Sequence, residues 1–388
     1  MADIVFKDVF TPEEKVQILK DLVAIKSVNN DEIEVAKYLH DFLSQYGIDS
    51  QILPFNERRA NLVAKIGSGH PILGVSGHMD VVEPGDISAW TSDPFTLTER
   101  DGKLYGRGAS DMKPGLADLV ITMVNIKKNN LLKHGTIRLM ATFGEEIGEE
   151  GSRKFKEDGY TKDIDALLIA EPTVFQVGIG HKGSMDIRLI SHGKEAHSSM
   201  PDRGYNAIDP LMNLLVKANQ KFRHSNRHNN LLGNLTFNTT IFHGGNQVNS
   251  IPGEATAEMN ARTIPEYDNE AVANDLQELI EIENKNGAKI EKDVYMSQPS
   301  IETDGKSRLV ELAEQLSKKY SPYPVNVISM GGVTDASNLI VDKPHDFPFV
   351  VLGPGNPTAH QVDEYIEKQV YLDFSDLYLQ LFTEYLND

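Results

Sequence analysis

Three patterns in the 388-residue sequence predict an α/β protein with a second, α+β unit set into it. Short apolar runs alternate with stretches of helical spacing in the first part, the order becomes βαββαβ in the middle, and the first texture returns beyond Thr303. The expected division is 1–182 and 296–388 for one domain, interrupted by a separate unit at 183–295.

Each element has its own warrant. Val16, Leu19, Leu22 and Val23 fall at helical spacing from Pro12 to Lys26, with Thr11 as cap and Pro12 in the first turn. A second helix is expected from Asp31 to Tyr46, stopped by Gly47. Strand-like runs follow at Asp49 to Leu53, Asn61 to Ile66, Pro71 to Ser76, Gly135 to Phe143 and Asp165 to Ala170, with a helix at Pro114 to Lys127. In the middle unit, Ser184 to Ser191, Leu235 to His243, Glu254 to Ile264 and Ala288 to Val294 read as strands. Asn206 to Gln220 and Asn269 to Glu283 read as helices, which completes a ferredoxin-like plan. The last part offers a helix at Arg308 to Tyr320, strands at Val325 to Ser329 and Phe349 to Leu352, and a packing helix from about Glu364.

Composition narrows the function. Thirty-eight basic against 57 acidic residues leave a net charge of −19, a field that repels phosphate backbones and anionic membranes, so nucleic acid and membrane are not expected as partners. No apolar run approaches the ~18 residues needed to cross a bilayer. The opening Met1-Ala-Asp-Ile-Val-Phe-Lys-Asp does not read as a secretory signal, and a cytoplasmic protein is expected. Cysteine is absent, so any metal must be held by His, Asp and Glu.

Ligands in open α/β sheets bind beyond the carboxyl ends of strands, and polar residues stand directly after four of the apolar runs. These are His78 and Asp80, Glu145 and Glu146, Glu171, and His360; Asp111 follows the glycine-rich Tyr105-Gly-Arg-Gly-Ala-Ser. In an extended chain Asp80 lies on the same side as His78 and is expected to bond its second ring nitrogen. Glu145 and Glu146, read as extended, diverge, so that one can bind metal while its neighbour holds a water. Two imidazoles and three carboxylates suit a pair of Zn²⁺ ions, and a free Glu beside them suits a general base.

Taken singly, each piece has a plainer reading: His-x-Asp as a surface or core pair, Glu145-Glu146 and Glu149-Glu150 as solvated acidic turns, Glu171-Pro172 as a strand terminator. Their conjunction at strand ends favours the site. Gly178-Ile-Gly-His-Lys-Gly183 matches a dinucleotide fingerprint in form only, because no helix follows. His70, His134, His192 and His243 are read as solvated or turn residues.

Six stretches stand in order along the chain: Gly77-His-Met-Asp-Val-Val82, Gly106-Arg-Gly-Ala-Ser-Asp-Met-Lys-Pro-Gly115, Glu145-Glu146, Ala170-Glu-Pro172, Ala196-His-Ser-Ser-Met-Pro201 with Gly204-Tyr-Asn-Ala207, and Asn249-Ser-Ile-Pro252. Together they resemble the signature stretches of one zinc-peptidase and amidohydrolase family, which includes aminoacylase, acetylornithine deacetylase, succinyl-diaminopimelate desuccinylase and glutamate carboxypeptidase. The resemblance implies a mixed-sheet zinc-peptidase catalytic domain with an inserted ferredoxin-like dimerisation domain, and a homodimer. It implies two Zn²⁺ per chain, with Co²⁺ or Mn²⁺ as substitutes. His78 and Glu171 would hold one ion, Glu146 and His360 the other, and Asp111 both, through a cis peptide to Met112. Asp80 would orient His78, Glu145 would be the base, and His197 would polarise the substrate carbonyl across the subunit interface. Arg262, Asn249 and Thr334 would bind substrate.

The implied activity is hydrolysis of the amide of an N-acyl amino acid or short peptide. N-succinyl-LL-2,6-diaminopimelate is the first expectation; acetylornithine deacetylase, aminoacylase and carboxypeptidase or dipeptidase activities are the alternatives. The family's desuccinylases carry arginines where this chain reads His181-Lys-Gly-Ser184 and Gly332-Val-Thr-Asp-Ala-Ser337, leaving Lys182 as a point charge in their place. A mononuclear enzyme and an inactive binding or assembly protein are the other readings; replacement of a ligand or of Glu145 would favour the second, and none is replaced.

Overall fold

The computed structural model describes residues 6–387, so the opening Met1–Val5 of the stretch read for targeting lies outside the described residues. The chain divides into two compact units. One runs to Gly180 and resumes at Thr303–Met330 and from Thr334; the other comprises His181–Glu302 and Gly331–Val333.

The first unit is built on a mixed sheet. Across it the strands run Ser50–Pro54, Ala60–Ser68, Gly135–Thr142, Ile72–His78, Ala166–Ile169, Phe349–Val351 and Val177–His181. The middle four are mutually parallel, and the flanking pairings are antiparallel. Every residue of Ile72–His78 and of Ala166–Ile169 is buried, as expected of parallel strands covered on both faces. The helix Lys113–Lys128 is buried from Lys113 to Ile126 and packs against Ile72–His78 and the last helix. A helix buried on all sides belongs in a core, and its polar Lys113, Asp118 and Asn125 are each hydrogen-bonded there.

Local chemistry explains most boundaries. Helix Pro12–Ala24 opens with a capping box, in which Glu14 N donates to Thr11 Oγ1 at 3.2 Å and Thr11 N to Glu14 Oε2 at 2.8 Å. Gly47, at φ +72°, follows the helix Ile33–Gln45 in a left-handed turn.

The last helix departs from the expectation. It starts at Lys368, because Tyr365–Glu367 pairs as a strand with Lys103–Tyr105, itself half of a hairpin with Thr98–Arg100. Its Tyr371 and Tyr378 hydroxyls are buried and donate to Lys15 O at 2.8 Å and Leu352 O at 2.6 Å, so it packs as its Leu and Tyr positions implied.

The second unit contains a four-stranded antiparallel sheet ordered Thr236–Gly244, Glu254–Arg262, Ser184–His192, Ile290–Gln298. With helices Ile208–Arg223 and Asn269–Lys285 this is the ferredoxin-like order. Met185, Ile187 and Leu189 on one central strand and Ala255, Ala257, Met259 and Ala261 on the other bury alternate positions against Leu211, Leu214, Leu276 and Ile280 of the helices. Among the described residues no helix is long and apolar enough to cross a membrane.

Candidate metal centre

Parallel pairing aligns the strand ends: His78 stands opposite Thr142, and Ser76 opposite Ile169. His78 therefore ends one strand while Glu145 and Glu146 follow the next by three and four residues, and Glu171 follows the third by two. Asp111 arrives from the loop before Lys113–Lys128, and its peptide to Met112 is cis. His360, at φ +65°, comes from the loop after Phe349–Val351.

Their side chains meet. His78 Nε2 lies 3.1 Å from Asp111 Oδ1 and 3.6 Å from Glu171 Oε1. His360 Nε2 lies 2.9 Å from Glu146 Oε1 and 3.5 Å from Asp111 Oδ2. Each oxygen of Asp111 thus faces a different imidazole. Donor atoms of His78, Asp111 and Glu146, and of His78, Glu145 and Glu171, all fall within 4.8 Å of one another.

Asp80 acts differently from the expectation. His78 Nδ1 is 2.9 Å from the backbone oxygen of Asp80, whereas the Asp80 carboxylate is 3.6 Å away. That carboxylate is committed elsewhere, accepting from Glu145 N and Glu146 N at 3.2 Å each. Nδ1–H donating to a carbonyl turns Nε2 toward Asp111 and Glu171, the nitrogen that a metal ion would take in place of a proton. Nor are Glu145 and Glu146 extended: they form a 3₁₀ turn, Glu145–Ile147, entered through Gly144 at φ +66°. A Cβ at Gly144 would collide with the guanidinium of Arg59, which stacks on Phe143 at 4.5 Å. The two glutamates diverge because Asp80 and Gly144 shape this turn, not because the chain alternates.

Charge is concentrated here. Burial, then the charge of Glu171, pushes the Glu145 carboxyl well above the usual range. Burial does the same to Glu171, against the pull of His78. Burial alone would lower His78, but Glu171, Asp111 and Asp80 hold it well above the imidazole range. Asp111 moves down despite burial, through the hydrogen bond and charge of His78 and the charge of His360.

The other sequence-derived candidates are Thr334, His197, Asn249 and Arg262. Thr334, in the first unit, is buried and its Oγ1 accepts from Ala336 N at 3.3 Å. His197, Asn249 and Arg262 belong to the second unit. Asn249 O accepts from Ser198 N at 3.0 Å, beside the bridge of His197 to Ser250. Lys182 donates to Asn234 O at 2.6 Å and is therefore not a free substitute for a missing arginine.

Glu149 is a correction: far from a solvated turn, it is fully buried at φ +55°, its N donating to Gly144 O at 2.8 Å to close the loop under Glu145 and Glu146. Sequence reasoning also passed over Asp335, buried, accepting from Thr142 Oγ1 at 2.5 Å, raised to about 6 by burial, and adding its charge to those that raise Glu145. Glu364 was read only as a helix start. Its signal was an acidic residue four after His360 in a polar loop, which spacing alone does not separate from a cap.

Imidazoles and carboxylates gathered beyond the parallel strand ends of an α/β sheet are the arrangement of a metallohydrolase. The family model of peptidase family M20/M25/M40 matches residues 74–384. The probable succinyl-diaminopimelate desuccinylase of Staphylococcus aureus (strain N315) is 40% identical over 405 residues, covering 98% of this chain and 99% of its own. The succinyl-diaminopimelate desuccinylase of Wolbachia pipientis wMel is 32% identical, with 96% and 93% covered. Among solved structures, an M20 family metallo-carboxypeptidase from Sulfolobus solfataricus has a TM-score of 0.81 at 20% identity, covering 96% of this chain and 99% of that one. A dinuclear metal binding peptidase from the M20 family of Bacillus subtilis has a TM-score of 0.71 at 18% identity, with 97% and 98% covered. The chain belongs to peptidase family M20/M25/M40, and it is a hydrolase of amide bonds.

Proposed function

We propose that the protein is a two-metal desuccinylase that hydrolyses the amide of N-succinyl-LL-2,6-diaminopimelate, with a place in lysine and diaminopimelate biosynthesis in the cytoplasm. The observation that carries the reading is the placement of Asp111 with one oxygen toward His78 and the other toward His360. The donor set fits divalent cations. Asp80, Asp111, Glu145, Glu146 and Glu171 crowd two imidazoles; Asp80 and Glu171 are buried and the other three half-buried, and such an excess of carboxylates needs more positive charge than those rings supply. Nitrogen and oxygen donors without thiolate suit Zn²⁺, with Co²⁺ or Mn²⁺ as substitutes. His78 and Glu171 would hold one ion, His360 and Glu146 the other, and Asp111 both.

Ions held by these residues would supply positive charge to polarise an amide carbonyl and to lower the pKa of water. Glu145, raised by burial, takes the proton from the attacking water. It returns that proton to the amine nitrogen as the C–N bond breaks, leaving the acyl group as its carboxylate. Asp80 holds Glu145 and Glu146 by their backbone N–H groups throughout.

The substrate assignment leans on the 40%- and 32%-identical relatives named as desuccinylases. In the second unit Arg262, half-buried at its strand end, offers a forked cation for a substrate carboxylate. His181, buried and lowered to about 4 by burial and then the charge of Arg262, stays neutral beside it. Asn249 and Thr334 are the further proposed contacts. The purified enzyme is expected to contain two divalent ions per chain and to hydrolyse N-succinyl-diaminopimelate far faster than N-acetylornithine, other N-acetyl amino acids or dipeptides. Preference for any of the others moves the assignment to that activity.

The second unit is proposed to make the homodimer. Its strand Thr236–Gly244 is a sheet edge exposing Ile241 and Phe242, and Met212 and Val216 are exposed on helix Ile208–Arg223. His197 Nδ1 accepts from Ser199 N at 3.2 Å, which leaves the hydrogen on Nε2, free to donate to a carbonyl oxygen. If the partner's copy of that donor completes each site, inactive His197→Ala and Glu145→Gln chains should regain activity when mixed as heterodimers. Mixing without recovery removes the shared-site proposal.

A further inference from the structure

Among the buried acids that the mechanism above leaves unused, Glu364 is the one bonded to the backbone of a proposed ligand. We infer that Glu364 is a positioning residue, its single carboxylate fixing Asp111 relative to His360 with Arg107 as counter-ion; the inference rests on the two-metal reading.

The geometry is specific. Glu364 is fully buried. Its Oε1 accepts from Ser110 N at 2.7 Å and Asp111 N at 2.9 Å, and its Oε2 accepts from Gly108 N at 3.2 Å and Arg107 Nη1 at 2.5 Å. Three amides of a loop that belongs to no helix or strand thus find their acceptor in one side chain. The second guanidinium nitrogen of Arg107 donates to Glu83 O at 3.3 Å and to His360 O at 3.5 Å, and the group lies 5.3 Å from the Trp90 ring. Ser110 and Asn356 add a reciprocal tie, Ser110 Oγ donating to Asn356 O at 3.0 Å and accepting from Asn356 N at 2.9 Å.

The pair therefore grips the backbone of Asp111 itself and the carbonyl of His360 itself. These are the two residues whose side chains must face one ion from opposite loops, separated by 3.5 Å. A donor displaced by about 0.5 Å from its productive position is enough to weaken such a site. The carboxylate is an outer partner of the site, not a ligand, and changes of that kind cost roughly 10- to 100-fold in metal affinity.

The test is titration of metal-free protein with Zn²⁺ and with Co²⁺, reading stoichiometry, affinity and the Co²⁺ absorption spectrum alongside thermal melting. Glu364→Gln is expected to bind the weaker ion 10- to 100-fold less tightly and to shift the Co²⁺ bands. Because Glu364→Gln strands a buried guanidinium, the decisive variant is Arg107→Met with Glu364→Gln, which removes both charges at near-constant volume. It is expected to melt within a few degrees of wild type and still to show the weakened affinity and altered spectrum. Glu364→Asp, which keeps the charge and draws it back by one methylene, is expected to show the same loss. Wild-type affinity and spectrum in any of these folded variants overturn the inference while leaving the metal centre standing. A wild-type chain that binds no ion overturns both.

Discussion

Glu145→Gln is expected to lower kcat by roughly 10²- to 10⁴-fold, the range of a lost general base, while both metal ions remain bound. The substitution keeps the size of the side chain and its place in the Glu145–Ile147 turn, since Asp80 holds that turn by backbone N–H groups that the variant retains. Glu146 is the control. Its Oε1 stands 2.9 Å from His360 Nε2, so Glu146→Gln should lose metal as well as rate. The pairing matters because a donor atom of Glu145 also lies within 4.8 Å of those of His78 and Glu171, close enough to serve as a ligand. Metal analysis separates the two roles: should Glu145→Gln lose an ion while Glu146→Gln keeps both, the assignments exchange. Full turnover in Glu145→Gln would remove it from the reaction altogether.

What could be read in advance follows from where information lies in a chain. Strand-terminal residues are legible because an apolar run marks the strand and the next polar residue marks its mouth, which is how His78, Glu145, Glu146 and Glu171 stand out. The insertion is legible because its strands alternate with a period of two, as in Glu254–Arg262, whereas the parallel strands around it are buried throughout. Glu364 and Glu149 are a different case. Glu364 satisfies amides some 250 residues away, and Glu149 is buried by a loop that closes on Gly144, so nothing in their immediate neighbourhood distinguishes them from solvated acids. The late start of the last helix has the same origin, since Tyr365–Glu367 prefers a strand partner at Lys103–Tyr105 to continuing the helix backward. Even where a residue was found, its work could differ: Asp80 supports the glutamates by its carboxylate and His78 by its backbone oxygen.

Asp111→Ala should have the widest effect on metal of any single change. His78 and Glu171 on one side and His360 and Glu146 on the other each keep two donors after it, but the oxygen facing each imidazole disappears from both. Two protein donors fall short of the three that a catalytic zinc usually retains, so both ions should weaken together. Loss of Glu171 or Glu146 would instead strip its own ion first. The consequence reaches stability through mass action, because an ion bound only by the folded state stabilises it by about 2.7 kcal/mol when present at one hundred times its dissociation constant. A chelator should therefore lower the melting temperature of the wild-type chain by several degrees, a shift of that size being usual for a few kcal/mol. The same chelator should barely move Asp111→Ala, which has no tightly held ion to surrender. An Asp111→Ala chain that retained two ions and its chelator-sensitive melting would show that the shared carboxylate is not shared, and the two-ion cage would have to be rebuilt around Glu145.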